Sequence, residues 1–228
     1  IMLLKIFLFN FIFYFSILFF GLLLLPILIS RKLTRKTVRI WSKCIIFFLI
    51  KVLNIKIVFK NNYLKDKEGQ VIAANHQSAF DTIFFLAAFD KTIYIIKKEL
   101  IFIPVYGWYA MRLGNIYIDR KKKIKSIKKI SRNIVNLVKK DYKIVIFPEG
   151  TRQEPKKIGA IKPGVFLIQD RVKRPIFPVY IDSGETWPRN SFKIKKKNIF
   201  IKSLKPIPYG LTKKKFKETL KNSFIESL

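Results

Sequence analysis

The chain of 228 residues has one cysteine, Cys44, and one histidine, His76. A single cysteine excludes an internal disulfide and any cysteine metal cluster. One histidine beside it argues against a zinc site, which draws its ligands from several such side chains. Acid is scarce as well: 14 Asp plus Glu stand against 46 Lys plus Arg, a formal net charge of +32. That balance implies an anionic partner, either nucleic acid or an anionic membrane surface. A compositional bias can account for part of it, because Ile, Lys, Phe and Asn are abundant throughout. No Gly-x-Ser-x-Gly elbow occurs, so the usual hydrolase nucleophile is missing. There is no internal repeat and no disordered linker.

Apolar residues, by contrast, make up half of the chain, a share that suits a catalytic domain plus a segment in contact with lipid. Residues 6–30 carry no charge, a run long enough for a bilayer core, which takes about 20 apolar residues. Arg31, Lys32, Arg35, Lys36 and Arg39 follow, and basic residues after a first span place the chain beyond it in the cytoplasm. The run is too long for a usual signal-peptide core and has no small-x-small site before the basic cluster. An uncleaved anchor is therefore expected. Whether it spans the bilayer or lies in one leaflet is open, and Pro26 can bend it. Over residues 32–54, Lys32, Lys36, Arg39 and Lys43 fall within about 60° on a helical wheel. Trp41, Cys44, Ile45, Phe48 and Val52 lie opposite. This is a basic amphipathic helix suited to an anionic headgroup layer. The alternative is a helix packed on the soluble domain.

From residue 55 the pattern becomes α/β. Short β-branched or aromatic runs occur at residues 55–59, 70–74, 92–96, 115–118, 143–147, 175–181 and 198–204. Helical patterns separate them. The clearest follows Arg120, where Ile124, Ile127, Ile130, Ile134, Leu137 and Val138 recur at helical spacing above a lysine-rich, solvated face. A last helix begins near Thr212. The expected architecture is a central mixed sheet flanked by helices, preceded by an N-terminal membrane-anchoring helix pair. Residues 1–54 form the anchor and basic helix, and 55–228 the catalytic domain.

Chemistry gathers where apolar runs end, at strand C-termini. His76 follows Val71-Ile72-Ala73-Ala74 and lies five positions before Asp81. On one helix the two would point about 140° apart, so they meet only if His76 sits on a turn and Asp81 in the first helical turn. Ser78-x-x-Asp81 fits a capping box that would bring this about. Two readings are open: Asp81 only caps a helix, or it pairs with His76 and holds one tautomer of a general base. Arg120 ends a second strand. A third breaks at Pro148, where Gly150 lets backbone approach a ligand and Arg152 offers a planar fork for phosphate. Residues 175–181 hold prolines that suit an edge or a pocket wall.

The set Asn75-His76-x-x-x-x-Asp81, Gly114-x-Ile116-x-Ile118-Asp119-Arg120, Phe147-Pro148-Glu149-Gly150-Thr151-Arg152 and the proline-bearing strand, in this order, resembles the glycerolipid acyltransferase family. Within it, the bacterial 1-acyl-glycerol-3-phosphate acyltransferases are the nearest pattern. Lys162-Pro163-Gly164, Ser183-Gly184 and Trp187-Pro188-Arg189 are also similar to that family. The resemblance implies transfer of an acyl chain from acyl-CoA or acyl carrier protein to the free hydroxyl of lysophosphatidic acid, giving phosphatidic acid. It implies His76 as base, Asp81 as its orienting partner, and Arg120 with Glu149, Gly150, Thr151 and Arg152 as the acceptor's phosphate site. No metal and no cofactor are expected. The expected location is the cytoplasmic face of a bacterial inner membrane, against anionic lipids. Other acceptors are glycerol 3-phosphate, another lysophospholipid or an aminolipid. A reading from another class is a non-catalytic, membrane-bound protein that binds anionic lipid. Nucleic acid is not expected as a partner, because the aromatics concentrate in the anchor and strands rather than among surface cations. Direct attack on the thioester is favoured over an acyl-enzyme, with Ser78 read as a cap and Cys44 placed in the membrane segment.

Overall fold

The computed structural model of the chain describes residues 2–119 and 125–228. The uncharged run is not one helix. Helix α1 (Met2–Leu23) ends before a 3-10 turn, Leu25–Ile29, that contains Pro26. Proline fits the first turn of a helix and stops one that arrives from upstream. Ser30 then caps α2 (Arg31–Leu53) by accepting from the Leu33 amide, and Asn54 ends it with φ +53°. Helices α1 and α2 thus form a hairpin. Phe9 and Phe13 of α1 and Ile45, Leu49 and Leu53 of α2 are buried in the same apolar cluster as sheet residues Ile72, Val145 and Val179.

The basic side of α2 is only partly as expected. Lys32, Lys36 and Lys43 are exposed, whereas Arg39 turns to the domain and pairs with Asp90 at 3.2 Å. Cys44, expected on the apolar side, is exposed. It lies about 100° round the helix from buried Ile45, so the two cannot share the face that packs on the domain.

The strands β1 (Ile57–Lys60), β2 (Gln70–Ala74), β3 (Thr92–Lys97), β4 (Ile116–Ile118), β5 (Lys143–Ile146), β6 (Ile176–Ile181) and β7 (Ile199–Ser203) form one sheet. Its order is β1-β7-β6-β2-β5-β3-β4. All neighbours run parallel except β6 and β7, so the sheet is mixed, as expected. Every residue of β2 and of β5 is buried, which is why both read as continuous apolar runs. Near the edge, β7 alternates buried Ile199 and Ile201 with exposed Phe200 and Lys202. The hairpin and α3 (Phe80–Ala88) cover one face. The helices α5 (Lys125–Val138), α6 (Pro163–Val172) and α7 (Lys213–Ile225) cover the other.

Helix α4 (Tyr106–Leu113) joins the hairpin to the sheet end. The Tyr109 hydroxyl donates to the Gly21 carbonyl at 3.1 Å, and Arg112 donates to the Ile29 carbonyl. Just before α4, Val105 has φ +62° and ψ −62°, and the Tyr106 amide donates to the Pro104 carbonyl at 2.7 Å. This is a tight γ-turn that a β-branched residue adopts at a strain of about 1–3 kcal/mol. It persists because Val105 is buried against Gly21, where an added Cβ would come within 2.3 Å of Val105 Cγ1.

Asn75 fastens β2 to β6 beyond the last backbone rung. Its Nδ2 donates to the Ile181 carbonyl at 2.8 Å, and its Oδ1 accepts from the Ile181 amide at 2.7 Å. Both residues are buried. Asn75→Ala orphans two buried backbone groups at about 1–3 kcal/mol each. Urea unfolding should show a loss of about 2–6 kcal/mol for the pair with an unchanged slope; a loss below about 1 kcal/mol would mean that water replaces the side chain.

Candidate functional site

The C-terminal ends of three adjacent parallel strands, β6, β2 and β5, converge on one place. Each contributes a polar segment there. His76 stands two residues beyond β2, and α3 begins at Phe80. Asp81, in the first turn of α3, reaches back across the turn. Its Oδ2 accepts from the Gln77 and Ser78 amides at 2.8 and 2.9 Å and lies 2.8 Å from His76 Nδ1. The Ser183 hydroxyl, just past β6, donates to Asp81 Oδ1. Asp81 and Ser183 are completely buried, whereas the His76 side chain is 15% exposed. A carboxylate only accepts, so the proton of this contact sits on Nδ1 and Nε2 carries the lone pair.

The capping box forms by half. Asp81 makes its return bond, but Ser78 Oγ accepts from the Phe80 amide at 3.2 Å, not from Asp81. The helix starts one residue later than Ser78 would set it, with Ala79 at the cap position. Ser78 is buried within the turn. The imidazole is stacked on Phe147 (centroids 3.9 Å apart, planes 15°), and Phe147 on Tyr94 (6.1 Å, 11°).

The segment after β5 grips the same turn. Glu149 was expected on the phosphate side together with Gly150, Thr151 and Arg152. The structure turns its carboxylate inward instead. Oε2 accepts from the His76 amide at 2.9 Å and Oε1 from the Gly159 amide at 2.8 Å. Both oxygens are thus taken by backbone, and Glu149 is buried. Burial pushes its pKa up to about 7; the bonds from Gly159 and His76 pull against it, and the neighbouring Asp81 charge adds to it. The Gln153 amide donates to the His76 carbonyl at 2.7 Å, so the His76 backbone is held from both sides.

Gly150 has φ +73°, a conformation open to glycine without a steric penalty. Thr151 is exposed and Arg152 half-buried. Burial raises the pKa of Tyr106, and the Arg152 guanidinium is near enough to oppose that rise. Tyr117, in β4, has a buried hydroxyl without a partner among the described residues. Burial and then the Tyr106 phenol lift its pKa to about 12. Tyr106 thus lies within electrostatic reach of both Arg152 and Tyr117. Arg120 lies outside the described residues.

Sequence reasoning missed Gln77, Tyr94 and Tyr106 and gave no role to Ser183. Ser183 offered two signals: with Gly184 it belongs to the family-like pairs, and it is a polar residue just beyond an apolar strand. Among the described residues, no group of three or more His, Cys, Asp or Glu could hold a metal ion. What the arrangement offers is a histidine of fixed tautomer whose backbone is held by the segment that carries Arg152.

The acyltransferase family model matches residues 56–182. The chain is 28% identical over 164 residues to the 1-acyl-sn-glycerol-3-phosphate acyltransferase of Pseudomonas aeruginosa, a match covering 72% of this chain and 64% of that protein. It is 28% identical over 184 residues to the Saccharomyces cerevisiae protein of the same name, covering 77% and 60%. The chain thus spans less than two thirds of the length of either relative. In fold it is similar to the crystal structure of the 1-acyl-sn-glycerophosphate acyltransferase from Thermotoga maritima, with a TM-score of 0.77 at 23% identity, over 99% of this chain and 94% of that one.

Proposed function

The chain belongs to the acyltransferase family, and from that premise we propose that it moves an acyl chain from acyl-CoA or acyl carrier protein to the free hydroxyl of 1-acyl-glycerol 3-phosphate, giving phosphatidic acid. The observation that carries this reading is the 2.8 Å contact between His76 Nδ1 and a buried Asp81. It leaves Nε2 as a base in a water-accessible position.

The acceptor hydroxyl gives its proton to Nε2 while its oxygen bonds to the thioester carbonyl carbon. The carbon–sulfur bond then breaks, and the thiolate takes the proton back from the imidazolium. Asp81 stabilises the imidazolium between these steps, and Ser183, Gln77 and Ser78 hold the carboxylate in position by donating to it. Arg152 holds the acceptor's phosphate, with the Gly150–Thr151 turn beside it. The protein lies on the membrane that contains its lipid substrate. α1 is long and apolar enough to cross a membrane, and Leu3, Phe7, Phe11, Leu18 and Leu22 are exposed on it. The cations after it support a site at the cytoplasmic face.

The test is phosphatidic acid formation by the full chain from lysophosphatidic acid and each thioester; no product with either donor would remove the reading. Arg152→Lys keeps the charge and loses the fork. It is expected to raise the acceptor KM about tenfold with little change for the donor. A rise in the donor KM alone would place Arg152 on the other substrate.

A further inference from the structure

On the face of the sheet opposite the apolar hairpin, a cleft of about 250 Å³ opens beside the His76 turn. Its polar lining includes Lys60, Gln77, Lys156, Tyr180, Asp182, Glu185 and Lys202. Tyr180 fixes the face, because it belongs to the apolar cluster formed with α6 and α7. Lys60 and Lys202 are direct register partners on β1 and β7 and are both exposed. Like charges directly opposite on neighbouring strands disfavour the sheet, and neither lysine forms an ion pair among the described residues. Lys156 is partly neutralised by Glu185 at 3.3 Å, and Asp182 is occupied by the Phe200 amide at 2.6 Å.

Gln77 supplies the independent observation. It is 1% exposed, and its Oε1 accepts from the Gly184 amide at 3.3 Å, but its Nε2 has no partner. A buried amide donor left unpaired costs about 1–3 kcal/mol. An acceptor brought by a ligand would remove that cost. Gln77 is also the residue after His76, so a group bound to it lies next to the base.

Building on the acyl-transfer reading, we propose that this cleft seats the phosphopantetheine arm of the thioester donor, the part that acyl-CoA and acyl carrier protein share. The arm carries amide carbonyls for Gln77 Nε2 and a phosphate for Lys60 and Lys202. The cleft is smaller than the ~300–1,000 Å³ of sites that enclose a whole drug-sized molecule, and therefore takes part of the donor. The position suits the traffic. The acceptor is a lipid and arrives from the hairpin side, with its phosphate at Arg152 on the β5 side of His76. The donor's carrier is water-soluble and arrives from the opposite face, on the β6 and β7 side.

The experiment compares the full chain with Lys60→Ser/Lys202→Ser, two exposed positions away from His76. The donor KM should rise about tenfold, as for the loss of one charge-assisted bond, with kcat and the lysophosphatidic acid KM unchanged. Running acyl-CoA and acyl carrier protein in parallel identifies the source by whichever KM rises. In the wild type, 4′-phosphopantetheine should inhibit competitively against the donor and bind by calorimetry more tightly than pantetheine, and the double variant should lose that preference. An unchanged donor KM, a shift in the acceptor KM alone, or equal binding of the two probes overturns the proposal. Calorimetry needs no turnover, so phosphopantetheine binding without acyl transfer would sink the proposed reaction and leave the cleft assignment standing.

Discussion

His76→Ala is expected to lower kcat by about 10²–10⁴-fold, the usual contribution of a positioned general base. Stability should change little, because the ring is stacked on Phe147 at a partly exposed position and the backbone bonds from Glu149 and Gln153 do not involve it. Asp81→Asn is the sharper variant. Asparagine can keep its oxygen toward Gln77, Ser78 and His76 and turn its amide toward Ser183, whose hydroxyl accepts as readily as it donates. The turn survives and the charge facing the imidazole is lost. Turnover should fall by a similar factor with a near-normal unfolding midpoint. Wild-type turnover in a folded His76→Ala protein would remove the mechanism altogether.

Glu149→Ala is expected to be the more damaging change to the protein as a whole. It orphans the His76 and Gly159 amides, at about 1–3 kcal/mol each, and frees the turn on which His76 stands, so activity and stability should fall together. Glu149→Gln separates the two effects, since one of the two amides still finds an oxygen and the buried charge is gone. The pH dependence follows from a folded pKa of about 7 against an ordinary value of 4.5. Folding takes up a proton between these values. The linked stability is therefore fully present below about pH 4.5 and lost as the pH rises through about 7. It amounts to on the order of 3 kcal/mol. Urea unfolding at pH 5 and pH 8 should show wild type losing more stability than Glu149→Gln across that interval. Parallel losses would mean that the carboxylate is solvated and is not the clip between the two segments.

The sheet was legible in the sequence because its strands are short apolar runs bounded by turn residues, and β2 matches its expected limits, residues 70–74. Its mixed character was expected, but nothing in the runs shows that β1 and β7 run opposite to the other five strands. The His76–Asp81 contact was legible for a local reason: five residues with a capping residue leave few ways to fold. Ser183 was not, because it meets Asp81 across 102 residues. Glu149 reads as a ligand-facing acid next to Gly150 and Arg152, and only tertiary contact shows the two amides that claim its oxygens. The uncharged run 6–30 read as one anchor because hydropathy averages over a turn. Pro26 and Ser30 marked the break, and the packing of Phe9 and Phe13 on Trp187 could not be seen in any window of sequence.

The strained Val105 turn changes what α1 is to the enzyme. A tether can be exchanged for another apolar helix of equal length without touching the chemistry. Here residue 21 must lack a side chain, because Val105 occupies the space where one would stand, and Tyr106, within electrostatic reach of Arg152, follows that turn. Helix and turn thus pack as one piece. A version trimmed of α1 would lose the support of the turn that carries Tyr106 together with the exposed apolar side chains of the helix, and a swapped-in apolar helix would restore only the latter.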